Sequence, residues 1–191
     1  MKVLDLIRIL ISYIVSLFSK PEPKPEPKPE PSPTPKPDVP KPSPSPIPVP
    51  EGVTLLNHDA ELLVEHNKVR DGRGKNPLVI NDKLNRDAQK HAVWMAQKGM
   101  MSHAGMGQRA KDEGYSYSAI SENVAAGQAS PKSVTSAWKW SSGHYINMTG
   151  SYKDVGFGAA TSSNGTIYWC AVFGTQRKQN ETSINRKNNR N

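Results

Sequence analysis

Cysteine is almost absent from this chain. Cys170 stands alone among 191 residues, which excludes an intramolecular disulfide and any fold that depends on covalent staples. The residue sits in an apolar run, Tyr168 to Phe173, where a buried, inert thiol is expected. A chain this poor in disulfides is compatible with the cytosol and with export, so cysteine usage leaves the compartment open. Proline is scarce outside one stretch: 15 of the 17 prolines lie between Pro21 and Pro50, and that stretch supplies neither helix nor sheet. What remains for a core is about 125 residues, enough for one domain without staples.

A concentration of charge within that remainder is also lacking. The net charge is +8, but residues 51–175 hold 13 basic and 11 acidic groups, a net of only +2. The Pro-rich stretch is neutral, and the excess falls on residues 1–20 (+2) and 176–191 (+4). A nucleic-acid binder gathers basic residues on one face of its domain, so nucleic acid is not the expected partner.

The first 20 residues contain no A-x-A-like cleavage site, and the apolar run 3–18 is shorter than the ~20 residues a spanning helix needs. Asp5, Arg8, Ser12, Ser16 and Ser19 recur along one helical face, opposite Leu4, Ile7, Ile11, Ile14 and Phe18. A cleaved signal, a spanning helix and an interfacial anchor stay open, and membrane association through residues 1–20 is expected. The repeat Pro-Glu-Pro-Lys then predicts a polyproline II spacer of roughly 90 Å at ~3.1 Å per residue.

The organisation expected is thus an anchor or signal at 1–20, a Pro-rich linker at 21–50, a folded domain at 51–175 and a basic tail at 176–191. Within the domain, Leu55, Leu56, Leu62, Leu63, His66 and Val69 recur at helical spacing, with Asn57 or Asp59 as cap. Asn81-Asp82 opens a second helix carrying Leu84, Ala88, Ala92 and Met95, and Gly99 closes it. A short helix is expected over 107–113, and Ser130-Pro131 starts another carrying Val134, Ala137 and Trp138. Glu122–Ala126 reads as a strand, and Val155–Ala160 and Thr166–Phe173 as a hairpin turned at Asn164-Gly165. Helices first and the main strand pair last predict α+β, with helices packed on an antiparallel sheet.

Of five histidines, His58 and His91 read as structural. His103 follows a helix stop, and His144 follows Ser141-Ser142-Gly143, read as a helix exit. Glu122 opens an intervening strand. Two imidazoles and a carboxylate at element ends suit either a facial metal site or an acid–base cluster.

His66-Asn67-Lys68-Val69-Arg70, Ser102-His103, Glu122-Asn123-Val124-Ala125, Trp138, Gly143-His144-Tyr145 and the closing hairpin follow one another in a telling order. In that order they resemble the CAP superfamily of cysteine-rich secretory, antigen 5 and pathogenesis-related 1 proteins, in its disulfide-free bacterial branch. The resemblance implies an α–β–α sandwich with a central cleft, where His103, Glu122 and His144 match three of four positions able to hold zinc or another divalent cation. The fourth, a second acid after the tryptophan, is missing: Lys139, Trp140, Ser141 and Ser142 fill that gap. The resemblance also implies an extracytoplasmic protein, secreted or membrane-anchored, that binds an extracellular ligand such as a lipid, a sterol or a protein. Metal-assisted hydrolysis with Glu122 as ligand or base is the alternative. No Gly-x-Ser-x-Gly elbow supports a serine nucleophile.

Overall fold

The strand that organises the domain is apolar on both faces. Residues 167–176 form the last strand, where Trp169, Ala171 and Phe173 point to one side and Tyr168, Cys170 and Val172 to the other, all buried. Such a run belongs at the centre of a sheet covered by helices on both faces. The computed structural model describes residues 46–178. The expected anchor at 1–20, the linker up to residue 45 and the tail from residue 179 lie outside the described residues.

In chain order the elements are β1 (Thr54–Leu56), α1 (Asp59–Asp71), β2 (Val79–Ile80), α2 (Asp82–Lys98), α3 (Met106–Asp112) and β3 (Tyr117–Ala126). There follow α4 (Pro131–Trp140), α5 (Ser142–Thr149), β4 (Asp154–Thr161) and β5 (Ile167–Gln176). The sheet runs β1-β4-β5-β3, antiparallel throughout, with β2 added parallel to β4. One core, with Leu84, Ala88, Ala92, Tyr115 and Val172, lies beneath α2 and α3. The other, with Leu62, Trp138, Met148, Phe157 and Phe173, lies beneath α1, α4 and α5. The architecture is the α–β–α sandwich expected. Each fully buried Leu or Phe contributes about 1.5–3 kcal/mol.

Local chemistry explains the helix limits. Asn81 Oδ1 accepts from the Lys83 amide at 3.1 Å to start α2, and Gly99, at φ 67°, ends it. Ser130 and Ser133 form a reciprocal capping box at α4, with Pro131 in its first turn. Helix α2 lies very close to β4: a Cβ on Gly156 would come within 2.0 Å of the Leu84 carbonyl carbon, and one on Gly158 within 2.3 Å of that of Ala88. On this close approach Asn85 Oδ1 accepts from the Phe157 amide at 2.8 Å, and Gln89 Nε2 donates to the Ala159 carbonyl at 2.8 Å. Two helix side-chain amides thereby occupy β4 between its pairing with β2 and the end of its pairing with β1.

Several expectations need correction. Leu55 and Leu56 belong to strand β1, paired with Ala160 and Ala159, and not to the first helix. The residue flanking that helix is His58, which makes no side-chain capping bond, so neither Asn57 nor Asp59 caps it. Ala137 is exposed, and Thr135 is buried in its place. His144 stands in the first turn of helix α5 and not at a helix exit. Among the described residues, no helix is long and apolar enough to cross a membrane.

Candidate functional site

Three residues singled out from sequence arrive at edge strand β3 from different elements. Glu122 belongs to β3 itself, and its side chain is fully buried on the α2 side of the sheet, beside Cys170. His103 lies in the loop after α2, and its Nδ1 is 2.9 Å from Glu122 Oε1. That loop is pinned by His91, whose Nε2 is 2.6 Å from the Ser102 carbonyl. Since a carbonyl only accepts, that nitrogen carries the proton. Burial lowers the His91 pKa and so keeps the ring neutral.

His144 approaches from the opposite helix layer. Its carbonyl accepts from Asn123 Nδ2 at 3.1 Å, and Asn147 Nδ2, one turn further along α5, donates to the Glu122 carbonyl at 3.2 Å. Its ring lies 6.5 Å from that of Trp138, whose Nε1 donates to the Val124 carbonyl at 3.2 Å. Burial lowers the His144 pKa, and charge on His103 lowers it further.

Two further residues join this cluster that the sequence did not single out: Asp87 on α2 and Arg109 on α3. Arg109 Nε donates to Asp87 Oδ1 at 3.0 Å, and Nη2 of the same guanidinium donates to Glu122 Oε2. Its Nη1 donates to the Ala104 carbonyl, next to His103. The signal for Asp87 was present: with His91 it falls at i+3 and i+7 from Leu84, so two ionisable residues sit on a stripe that is otherwise apolar. Burial raises the Asp87 carboxyl to about 6 despite Arg109. Cys170 is fully buried, and burial first, then the Glu122 and Asp87 charges, push its thiol well above the usual range. It is no nucleophile at neutral pH.

This donor set does not fit a divalent ion as it stands. Both Glu122 oxygens are engaged, one by the Arg109 cation, and among the described residues no three His, Cys, Asp or Glu side chains are placed to hold a metal. Beside the pair opens a cavity of about 460 Å³ lined by Lys90, His91, Trp94, Ala104, Gly105 and Arg109. Arg109 belongs to both the cavity and the cleft.

Comparison with known proteins places this architecture. The family model described as the cysteine-rich secretory protein family, CAP, matches residues 63–173. The uncharacterized protein YkwD of Bacillus subtilis strain 168 is 30% identical over 104 residues, covering 51% of this chain. The match spans only 40% of that relative's length. Among solved structures, an outer surface protein of Borrelia burgdorferi is similar with a TM-score of 0.59 at 20% identity, over 65% of this chain and 98% of its own. An extracellular SCP-domain protein of Bacillus anthracis is similar with a TM-score of 0.56 at 17% identity, over 62% of this chain and 40% of its own. At such identities the likeness is one of fold.

Proposed function

The chain belongs to the CAP, or cysteine-rich secretory protein, family, and from that premise we propose that it is a non-catalytic binding module displayed outside the cytoplasm. The observation that carries this reading is the state of Glu122. A general base must reach its substrate's proton with a free oxygen. Glu122 has a fully buried side chain, with His103 on one oxygen and Arg109 on the other. His103, by contrast, is more than half exposed. It presents an imidazole to a partner while Glu122 orients it from behind, and His144 presents a second from the other side of β3.

An extracytoplasmic setting is supported by the relatives, one described as an outer surface protein and one as extracellular. It is supported too by the spacer of alternating prolines, which suits a domain held away from a membrane by residues 1–20. The ligand is an extracellular protein or lipid engaged through the His103 and His144 edges.

The test has two arms. Purified full-length protein is incubated with peptide and ester libraries, alongside Glu122→Gln. No turnover by either is expected, and hydrolysis by the wild type that is lost in the variant would replace binding with metal-assisted hydrolysis. In the second arm, protease is added to intact cells of the native host. Cleavage of the chain is expected, whereas protection until the cells are lysed would remove the extracytoplasmic setting.

A further inference from the structure

We infer that Arg109 is the cleft's built-in cation, occupying the place of a divalent ion, and that its guanidinium keeps Asp87, Glu122 and His103 out of the spacing a metal needs. Four elements converge to make this arrangement: α2 supplies Asp87, the following loop His103, α3 Arg109 and β3 Glu122. The guanidinium uses all three nitrogens, on Asp87 Oδ1, the Ala104 carbonyl and Glu122 Oε2. A planar fork of this kind suits arginine and no other cationic side chain. It holds together the two acids and the loop that carries His103.

A separate observation points to a cation larger in charge than one. Asp87 is 1% exposed, and its Oδ2 is buried with no hydrogen-bond partner. A buried carboxylate oxygen without a donor is costly, and it marks a position where positive charge is under-supplied. The charge count agrees. Two carboxylates and one guanidinium sum to −1, whereas two carboxylates and a dication in its place would sum to zero. The second acid expected after Trp138 is absent from that segment, but an acid from α2 stands on the other side of Arg109. Oxygen from Asp87 and Glu122 with nitrogen from His103 is a donor set that zinc accepts. In the wild type Arg109 holds that position against it.

Zinc titration calorimetry on the tag-free full chain at neutral pH tests this, with circular dichroism to verify folding. Wild type and His103→Ala are expected to give the same isotherm, reporting only scattered surface histidines. Arg109→Gln, which keeps a neutral planar side chain, is expected to gain one site per chain at least about tenfold tighter than anything in the wild type. Adding Asp87→Asn to Arg109→Gln should abolish that site. A wild-type site lost in His103→Ala would overturn the inference, as would a folded Arg109→Gln that binds zinc no better than wild type. If Arg109→Gln fails to fold, the comparison of wild type with His103→Ala decides: equal isotherms uphold the closed cleft and a lost site refutes it. None of these outcomes depends on whether the domain binds a partner or turns over a substrate.

Discussion

Asn67 and Leu78 exchange two hydrogen bonds. The side-chain Nδ2 donates to the Leu78 carbonyl at 3.1 Å, and the Leu78 amide donates to Oδ1 at 2.8 Å. One side chain thereby satisfies both backbone groups of a buried residue at the approach to β2. Asn67→Ala leaves both unpaired and should cost about 2–3 kcal/mol in chemical denaturation. Asn67→Asp keeps the acceptor and should lie between the two. A change below about 0.5 kcal/mol for Asn67→Ala would mean that water or a neighbouring group replaces the bracket.

His66 makes the stability of the domain acid-sensitive. Burial, outweighing the bond to the Leu62 carbonyl, holds its imidazole down to about 4 against an ordinary 6.5. The folded chain therefore binds fewer protons than the unfolded chain between those values. Stability from this group is complete above 6.5 and is lost as pH falls toward 4, by about 3 kcal/mol in all. His66 Nε2 has no partner, and the ring lies among Trp138, Phe157 and Phe173. His66→Phe should change stability at neutral pH by less than about 1.5 kcal/mol. It should also flatten the denaturation midpoint between pH 6.5 and 4, and an unchanged slope would assign the acid sensitivity to another group.

The contact of α2 with β4 predicts intolerance of a single methyl group. At Gly158 the added carbon would meet the backbone of Ala88. Backbone yields less than a side chain, so Gly158→Ala should cost about 3 kcal/mol or more, or prevent folding. Gly165, in the hairpin turn, has nothing within reach of an added Cβ, and its cost should come only from a φ of 83°. Gly165→Ala is therefore expected to be the milder change in thermal unfolding. The reverse order would place the close packing elsewhere.

The tether makes a prediction about fractionation. Full-length protein should sediment with membranes, and a chain beginning at Ser45 should stay folded in the supernatant. Ile47 belongs to that shorter chain because it lines a cavity with Leu55, Leu56 and Phe157. Full-length protein found wholly in the soluble fraction would leave residues 1–20 without an anchoring role.

Helices whose ends carry their own chemistry were legible from sequence. Asn81 and Gly99 delimit α2, and Ser130-Pro131 opens α4, because those bonds are local. What depends on distant partners was not. Strand β1 is three residues long and exists by pairing with β4, so Leu55 and Leu56 merged with the helical pattern that follows. Helix α5 begins Ser-Gly-His-Tyr, a poor start by propensity. It is held at its far end by Arg70, whose Nη1 donates to the carbonyls of Met148 at 2.7 Å and Gly150 at 2.9 Å. His66, Asn67 and Arg70, which carry much of the family resemblance, are thus scaffold: a buried ring, a backbone bracket and a helix cap. The pairing of His103 with Glu122 followed from the resemblance, whereas Arg109 between two acids required four elements to be placed in space.

The covering of the sheet's margins bears on how the domain meets other molecules. On β3 the carbonyls of Glu122 and Val124 are taken by the Asn147 amide and the Trp138 indole. On β4 the Phe157 amide and the Ala159 carbonyl are taken by Asn85 and Gln89. An extended peptide that binds by strand addition needs such groups in a free row. At these positions the row is spoken for, so neighbouring copies crowded on one surface do not zip together there. A partner must instead read side chains, and a short epitope grafted from it should depend on its own side-chain chemistry and tolerate N-methylation of its backbone.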